Sequence, residues 1–538
     1  TQNYQGGVYR SENPLLLSRT VGDGGSGFDP RYARGAVFDG NAGGLVVQIN
    51  EDLPTYLWLV DTSASTMTKW DPTQRSPEKM SEYRVGLPQG ECPGSCCHEN
   101  GCNMPSRVGV DSAGNVYVAS RGFQMQGTVS KIAAASEDCV DRNNNGRIDT
   151  SRDGTPMNYG ADECILWTVP VGPSGALLRA MTIDMGDDLN PDGYVWVGSY
   201  ERREIYKLDP QDGRILATLP VPLQPYGMTM VSNGDMYISA LGDGSLVRVI
   251  TGSNEVGELI ENPAALRGGA NGSYGITTDA RGRVWQNSWG ANIDAIAYDP
   301  ADSSWCRITF PAIDGVASAG RGITTDPSGR IWTALGGDGP SHLAWWSPDM
   351  CRPGQSVEVP VEQIFAAGAG LTGPSAIGSD SRGKIWLAHK GVTEMIRVDP
   401  ANNFNITRHE NDALVYSYSD FTGVVRRLAI GQGSYEHDFE ADCDNPQWTA
   451  LDWQARTPIG SSVSFTIQTA ARRNKLHEGT PVNAGRSPGD PGPINMSGRL
   501  NGANVESRRF LRIKATMNLG DGQRSPVLQN FTVRWNCD

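Results

Sequence analysis

The chain has 538 residues, rich in Gly (65) and Pro (33), with a formal net charge of −14 from 46 basic and 60 acidic side chains. That balance excludes the basic footprint of a nucleic-acid binder and adsorption to anionic membranes, and no apolar run approaches the roughly 20 residues of a membrane-spanning helix. More than one domain is expected at this length, and Thr1 in place of Met is read as the start of a mature chain after removal of an export signal.

In chain order, the first predicted strands cover residues 56–60 and 67–71; Pro72, which has no N–H to continue a ladder, ends the second. Cys92, Cys96, Cys97 and Cys102 then crowd a Gly/Pro-rich loop. Two local disulfides are expected there, with a zinc or copper site around His98 as the alternative. At Val110-Asp111-Ser112-Ala113-Gly114-Asn115-Val116-Tyr117 a strand ends, turns through Asp-x-x-Gly and restarts on an aliphatic–aromatic pair. The same pattern returns at residues 190–196, 231–237, 278–285, 325–332 and 379–386. The turn needs a positive φ, which Gly supplies, and an Asp or Asn side chain to close it. The turn glycines are 114, 193, 234, 282, 329 and 383; after a first interval of 79 they fall 41, 48, 47 and 54 residues apart. About 40–50 residues is the length of one four-stranded propeller blade. A further strand ending in Asp-Pro or Ser-Pro recurs at 205–210, 297–300, 345–348 and 396–400. The reading is an all-β chain: a seven-bladed β-propeller in residues 1–430, the strands at 56–72 belonging to its first blade.

The long first interval predicts an insertion at about 135–165, bracketed by Cys139 and Cys164. It contains Asp141-Arg142-Asn143-Asn144-Asn145-Gly146-Arg147-Ile148-Asp149, the opening of a calcium loop. Oxygen side chains at alternate positions wrap a hard cation. Asp141, Asn143, Asn145, Asp149 and the Arg147 carbonyl are the candidate Ca2+ ligands, with Asp153 closing a shifted loop because Arg152 holds the twelfth position. Asp188-Leu189-Asn190-Pro191-Asp192-Gly193 repeats the spacing, but a hairpin turn alone explains most of it. Cys306 and Cys351 fall in consecutive blades and are expected to pair.

Propeller ligands sit over the central channel, on loops that enter the innermost strands and leave the second ones. By repeat position these loops offer Arg121, Tyr200, Glu201, Tyr226, Tyr274, Asn287, Trp289, Arg321, His389 and Lys390. Aromatic and planar polar groups of this kind suit a carbohydrate, another small polar ligand or a partner protein. No Ser/His/Asp triad or carboxylate pair is assignable at these positions.

Gly-Ile-Thr-Thr-Asp-x-x-Gly-Arg-[Val/Ile]-Trp, at residues 275–285 and 322–332, resembles the repeat of the virginiamycin B lyase (streptogramin lyase) propellers and the related NHL-type propellers of secreted bacterial proteins. The resemblance covers roughly residues 105–400. In the lyases it implies a metal ion held by His and Glu at the centre of one face. Of the six His here, only His389, with Glu394 nearby, matches such a position. The segment 415–423 resembles the exit of such propellers and is expected to close the ring by pairing with N-terminal residues.

Residues 431–538 alternate apolar and polar side chains at 462–468, 509–515 and 531–535, the period of half-buried antiparallel strands. They predict a C-terminal β-sandwich, tied by Cys443 and Cys537 near its ends. Asn271, Asn405, Asn495 and Asn530 lie in glycosylation sequons. Together these features read as a secreted, calcium-binding extracellular or cell-surface binding protein. A metal-dependent lyase or hydrolase acting at the central face is the alternative.

Overall fold

The computed structural model describes residues 16–22, 27–29, 32–34, 36–47, 56–74, 76–87, 103–151, 154–187, 189–190, 192–231, 234–266, 273–279, 281–288, 294–311, 320–443, 445–458, 461–490, 492–519 and 525–537. The Cys92–Cys102 cluster and the Asn271 sequon lie outside them. The chain forms two compact units, one made of Pro54–Met185 and Gly193–Ile430, the other of Thr1–Leu53, Gly186–Asp192 and Gly431–Asp538.

The larger unit has a β-propeller fold. Its repeated hairpin folds as the sequence dictates. The turn glycines all have positive φ, from +73° at Gly383 to +104° at Gly193. In five of the six hairpins a turn aspartate is buried and accepts an N–H or O–H from the aromatic residue that opens the next strand: Asp184 from Trp196 (2.8 Å), Asp279 from Trp285, Asp326 from Trp332 and Asp380 from Trp386 (each 2.9 Å), and Asp111 from Tyr117 (3.1 Å). Each of these five therefore buries a large ring and satisfies its polar atom in one step.

The first strands of successive sheets are Pro105–Val110, Leu178–Ile183, Pro225–Met230, Ser273–Thr278, Gly320–Thr325 and Pro374–Ser379. Each starts an antiparallel sheet of four strands, or five where Ser356–Glu358 adds in parallel to Ser304–Thr309. The Cys306–Cys351 disulfide lies beside that addition. Each first strand touches the next, so they line a common axis.

A seventh sheet, Leu57–Asp61, Thr66–Asp71 and Glu78–Arg84, has three strands of its own. Residues 415–421 run along its open edge. Val415 bridges Asp61, and the Trp58 N–H donates to the Phe421 carbonyl (3.1 Å). Gly378 leaves room for the Phe421 ring, since a Cβ there would stand 2.8 Å from it. The short helix Val424–Ile430 follows, packed against three first strands. Its Arg426 is buried and donates to the carbonyls of Ile183 (3.2 Å) and Asp184 (2.5 Å) and to Ser112 Oγ (2.7 Å). Between the first strands, Asp420, Val425 and Arg426 there remains a cavity of only about 40 Å³, room for no more than a few waters.

The smaller unit consists of two sheets around one core. One orders Ala36–Asp39, Gly44–Val47, Val527–Asn536, Gln447–Arg456 and Ile494–Asn495, with Leu16–Val21 also on Val527–Asn536. The other orders Ala33–Arg34, Gln432–Glu440, Phe510–Asn518, Ser462–Ala470 and Val482–Ser487. Both contribute to a cluster that includes Trp448, Phe465, Ile513 and Phe531. Cys443–Cys537 is a disulfide, as is Cys139–Cys164 in the larger unit.

The domain boundary differs from the expected division at 430/431. The N-terminal strands pair with the C-terminal ones, Leu17 opposite Trp535 and Ala33 opposite Tyr435, because Val527–Asn536 and Gln432–Glu440 offer them ladders. The edge that 415–421 covers is accordingly that of Leu57–Asp61. Asp192, from the weaker calcium candidate, pairs with Lys514, and Asp187 Oδ1 closes a local turn by accepting the N–H groups of Leu189 and Asn190 (both 2.9 Å). Asp188 lies outside the described residues.

Candidate functional site

Every one of the six first strands slips register immediately after its first residue. A bulge of this kind re-aims the side chains that the ladder skips. Those residues include Ser106, Arg179, Tyr226, Tyr274, Arg321 and Ser375. Tyr416 occupies the corresponding place, next to the bridged Val415.

Four of these side chains meet at one end of the axis. Tyr226, Tyr274 and Tyr418 form a buried cluster with Tyr200 and Tyr416 half-buried beside it. The phenol oxygen of Tyr274 lies 2.7 Å from those of both Tyr416 and Tyr418. Three guanidinium groups stack on the rings. Arg107 lies 5.1 Å from Tyr226 and 4.6 Å from Tyr418. Arg121 is 4.9 Å from both Tyr416 and Phe123, and Arg179 is 5.3 Å from Phe123 and 5.5 Å from Tyr226.

The electrostatics follow from this packing. Burial lowers Arg121 to about 10, and the like charges of Arg179 and Arg107 add to the effect. Burial raises Tyr226, Tyr274 and Tyr418. Burial also opposes ionisation of Tyr416, but the hydrogen bonds of Tyr274 and Tyr418 and the charges of Arg107 and Arg179 outweigh it and bring this phenol to about 7. The mouth is a cationic, aromatic floor with one acidic phenol.

The expected site residues divide into groups. Arg121, Tyr200, Tyr226 and Tyr274 come together in the cluster. Arg321 and Lys390 both pair with Asp338. Glu201 is exposed beside Tyr200. Trp289 lies outside the described residues. Two expectations are corrected. Asn287 is buried structure, accepting the Gly275 N–H (2.8 Å) and donating to the Gly322 carbonyl (3.2 Å) and Thr333 Oγ1 (3.0 Å). His389 is fully buried, with Nδ1 2.9 Å from the Glu394 carbonyl and Nε2 3.0 Å from Ser341 Oγ. Burial lowers its pKa, and the Glu394 carboxylate turns away to Arg408. Its strand end adjoins the mouth, but its ring packs inward. Arg107, Arg179, Tyr416 and Tyr418 were not anticipated, although the bulged residues stand five positions before the turn residue in each repeat (Arg179 before Asp184, Tyr274 before Asp279).

The calcium-type loop is well ordered by its own side chains. Asp141 accepts the N–H groups of Asn145 (3.1 Å) and Gly146 (2.9 Å), and Gly146 takes φ +82°. Asn143 and Asn145 both donate to Asp149 Oδ2 at 2.7 Å. These bonds hold the half-buried Asp149 carboxyl below its usual range. Glu163, also unanticipated, is buried and accepts from the backbone of Arg142 (2.8 Å), Asn143 (3.2 Å) and Asp149 (2.8 Å). Asp153 lies outside the described residues. Among the described residues no group of three or more His, Cys, Asp or Glu side chains is placed to hold a metal. The side-chain oxygens of this loop come from two Asp and three Asn.

No protein-family model matches the chain, and no curated protein matches it. Solved structures with a related fold include virginiamycin B lyase from Staphylococcus aureus, at 17% identity over 59% of this chain and 88% of that one (TM-score 0.41). A streptogramin B lyase aligns at 16% identity over 61% and 90% (TM-score 0.40). A functionally unknown protein from Desulfotomaculum acetoxidans aligns at 11% identity over 68% and 98% (TM-score 0.43).

Proposed function

We propose that this chain is a secreted, calcium-binding β-propeller of seven blades joined to a β-sandwich, and that it serves as an extracellular or cell-surface binding protein. Among the described residues, the seven sheets of the larger unit support the blade count, the two sheets around one core support the sandwich, and three disulfides fit an oxidising compartment. The observation that carries the binding reading is the tyrosine–arginine cluster at the end of the axis. Its half-buried members, Tyr200, Tyr416 and Arg179, offer ring edges and donors to solvent over the buried Tyr226, Tyr274 and Tyr418, the kinds of group with which proteins hold carbohydrates and other small polar molecules. The lyase alternative draws no support from His389, whose two nitrogens are both engaged.

Calcium fits the donor set of the insertion. Asn143 and Asn145 face Asp149 through their amide nitrogens while Asp141 caps the turn; with those two amides turned over, four hard oxygen side chains and the Arg147 carbonyl would hold the ion. Bound there, it would neutralise the loop's carboxylates and stiffen a segment otherwise pinned by Glu163 and the Cys139–Cys164 bond.

Calorimetric titration of the full chain with a panel of neutral and acidic oligosaccharides tests the binding reading. Binding that Tyr274→Ala weakens is expected. A panel without binders, or binding indifferent to Tyr274→Ala, would remove the central face from consideration.

A further inference from the structure

Several buried or half-buried guanidinium groups in the larger unit have a carboxylate partner: Arg283 pairs with Asp279 (2.7 Å), Arg307 with Asp294 (2.6 Å), Arg330 with Asp326 (2.8 Å) and Arg321 with Asp338. Arg107, Arg121 and Arg179 differ from these four. Arg107 is 2% exposed and Arg121 4% exposed, yet among the described residues no carboxylate lies within ion-pair distance of any of the three. Their partners are weaker. Arg107 donates to the carbonyls of Ser106 (3.1 Å) and Tyr226 (3.3 Å), Arg121 to that of Met104 (3.1 Å), and the rest of their surroundings is aromatic ring. Three like charges share one low-dielectric pocket in a chain with net charge −14. Such an arrangement is costly unless an anion completes it.

We infer that the mouth of the propeller binds a small anion, the carboxylate or phosphate group of a soluble molecule, held by Arg121 and Arg179 over the floor formed by Arg107 and the tyrosines. This rests on the binding reading above and narrows it to a ligand class. Geometry supports the narrowing. Arg179 and Tyr416 are half-buried, so they border solvent, while Arg107 and Arg121 lie beneath them. A planar guanidinium donates two parallel N–H groups, the match for a carboxylate or phosphate edge, and below pH 7 the protonated Tyr416 hydroxyl adds a donor beside them. The aromatic rings under the guanidiniums exclude water from one side and strengthen each charge-assisted bond. The acidity of the Tyr416 phenol is what an anion-seeking field produces when the anion is a residue of the protein itself. A bound external anion would compete for the same field.

The test uses the full chain and three defined probes at constant ionic strength: inorganic phosphate, galacturonate and the neutral galactose. Phosphate and galacturonate distinguish the two sources of the anion. Binding of at least one of them is expected, with galactose weaker by about tenfold or more. Arg179→Gln and Arg121→Gln are each expected to weaken the anion by about tenfold, the loss of one charge-assisted contact, while Arg179→Lys keeps part of the affinity. Melting without added anion checks that each variant is folded; Arg179, being half-buried, is the safer of the two sites. Failure of both anions to bind better than galactose overturns the inference. So does anion binding that neither Gln variant weakens, which marks an adventitious site elsewhere. In either case the broader binding reading is judged separately, by whether neutral ligands bind and Tyr274→Ala removes them.

Discussion

The carboxylate of Asp326 accepts the indole N–H of Trp332 at 2.9 Å while its other oxygen accepts the backbone N–H groups of Ser328 (2.9 Å) and Arg330 (3.0 Å). One fully buried side chain thus closes the turn, anchors a fully buried ring and pairs with Arg330. Asp326→Ala leaves an indole N–H, two backbone donors and a guanidinium without their acceptor. A loss of about 3 kcal/mol is expected, the scale for breaking a buried charged network. Denaturant unfolding of the two proteins measures it, and a change under about 1 kcal/mol would show that the turn does not depend on this carboxylate.

Tyr416 is expected to titrate near pH 7, far below the 10.0 of an ordinary tyrosine. An acid with a depressed folded pKa contributes stability that is complete above the unfolded pKa and is lost as pH falls through the folded one. This group therefore adds stability progressively between pH 7 and 10. The phenolate absorption band should show one early transition that Tyr416→Phe abolishes. All tyrosines titrating together above pH 9 would refute the assignment.

Calcium should stabilise the insertion by about 3 kcal/mol at a hundredfold excess over Kd. Chelation is expected to lower melting and to open the chain near Asn143 to proteases. Asp141→Ala should remove the response to the ion. Identical melting and proteolysis with and without chelator would eliminate the calcium loop.

His437, packed between Tyr435 and Phe439 rings at 6.4 and 4.7 Å, is lowered to about 4, by burial first and then by the charge of Arg19. A base with a depressed folded pKa takes its proton in the unfolded chain first. Stability of the smaller unit should therefore fall as pH drops from about 6.5 to 4 and level off below. Hydrogen exchange of the strand Gln432–Glu440 reads this directly, and His437→Phe should flatten the dependence. An unchanged slope in that variant would assign the acid sensitivity to other groups.

What could be read from sequence was local. Asp279, Gly282 and Trp285 form one hairpin whose bonds all close within a few residues, so spacing alone identified it. The Cys443–Cys537 pair was legible because it closes a period-two strand region. The N-terminal strands were misassigned because nothing near residues 16–47 marks a ladder with 527–536; that register is set by tertiary packing. The mouth was half legible. Tyr226 and Tyr274 precede a Gly in a visible motif, whereas Arg179 is marked only by standing five residues before Asp184 and Arg107 lies one residue beyond the bulged Ser106. His389 shows the opposite error: its strand end was placed correctly, but its ring turns to Ser341, a partner 48 residues away.

The edge of Leu57–Asp61 is covered by residues made much later. Leu414 donates its N–H to the Asp61 carboxylate at 3.1 Å across 353 residues of chain. At the usual pace of synthesis that interval lasts roughly 20–70 s. Throughout it, each later sheet can assemble from its own hairpins, while this one waits with a bare flank. A chain cut short before residue 415 would have the sheets of its larger unit nearly all built but would carry one open row of backbone donors and acceptors. That row is a template for the wrong neighbour. The quality-control burden of this protein thus falls on a few residues, those that thread past Trp58 at the last moment.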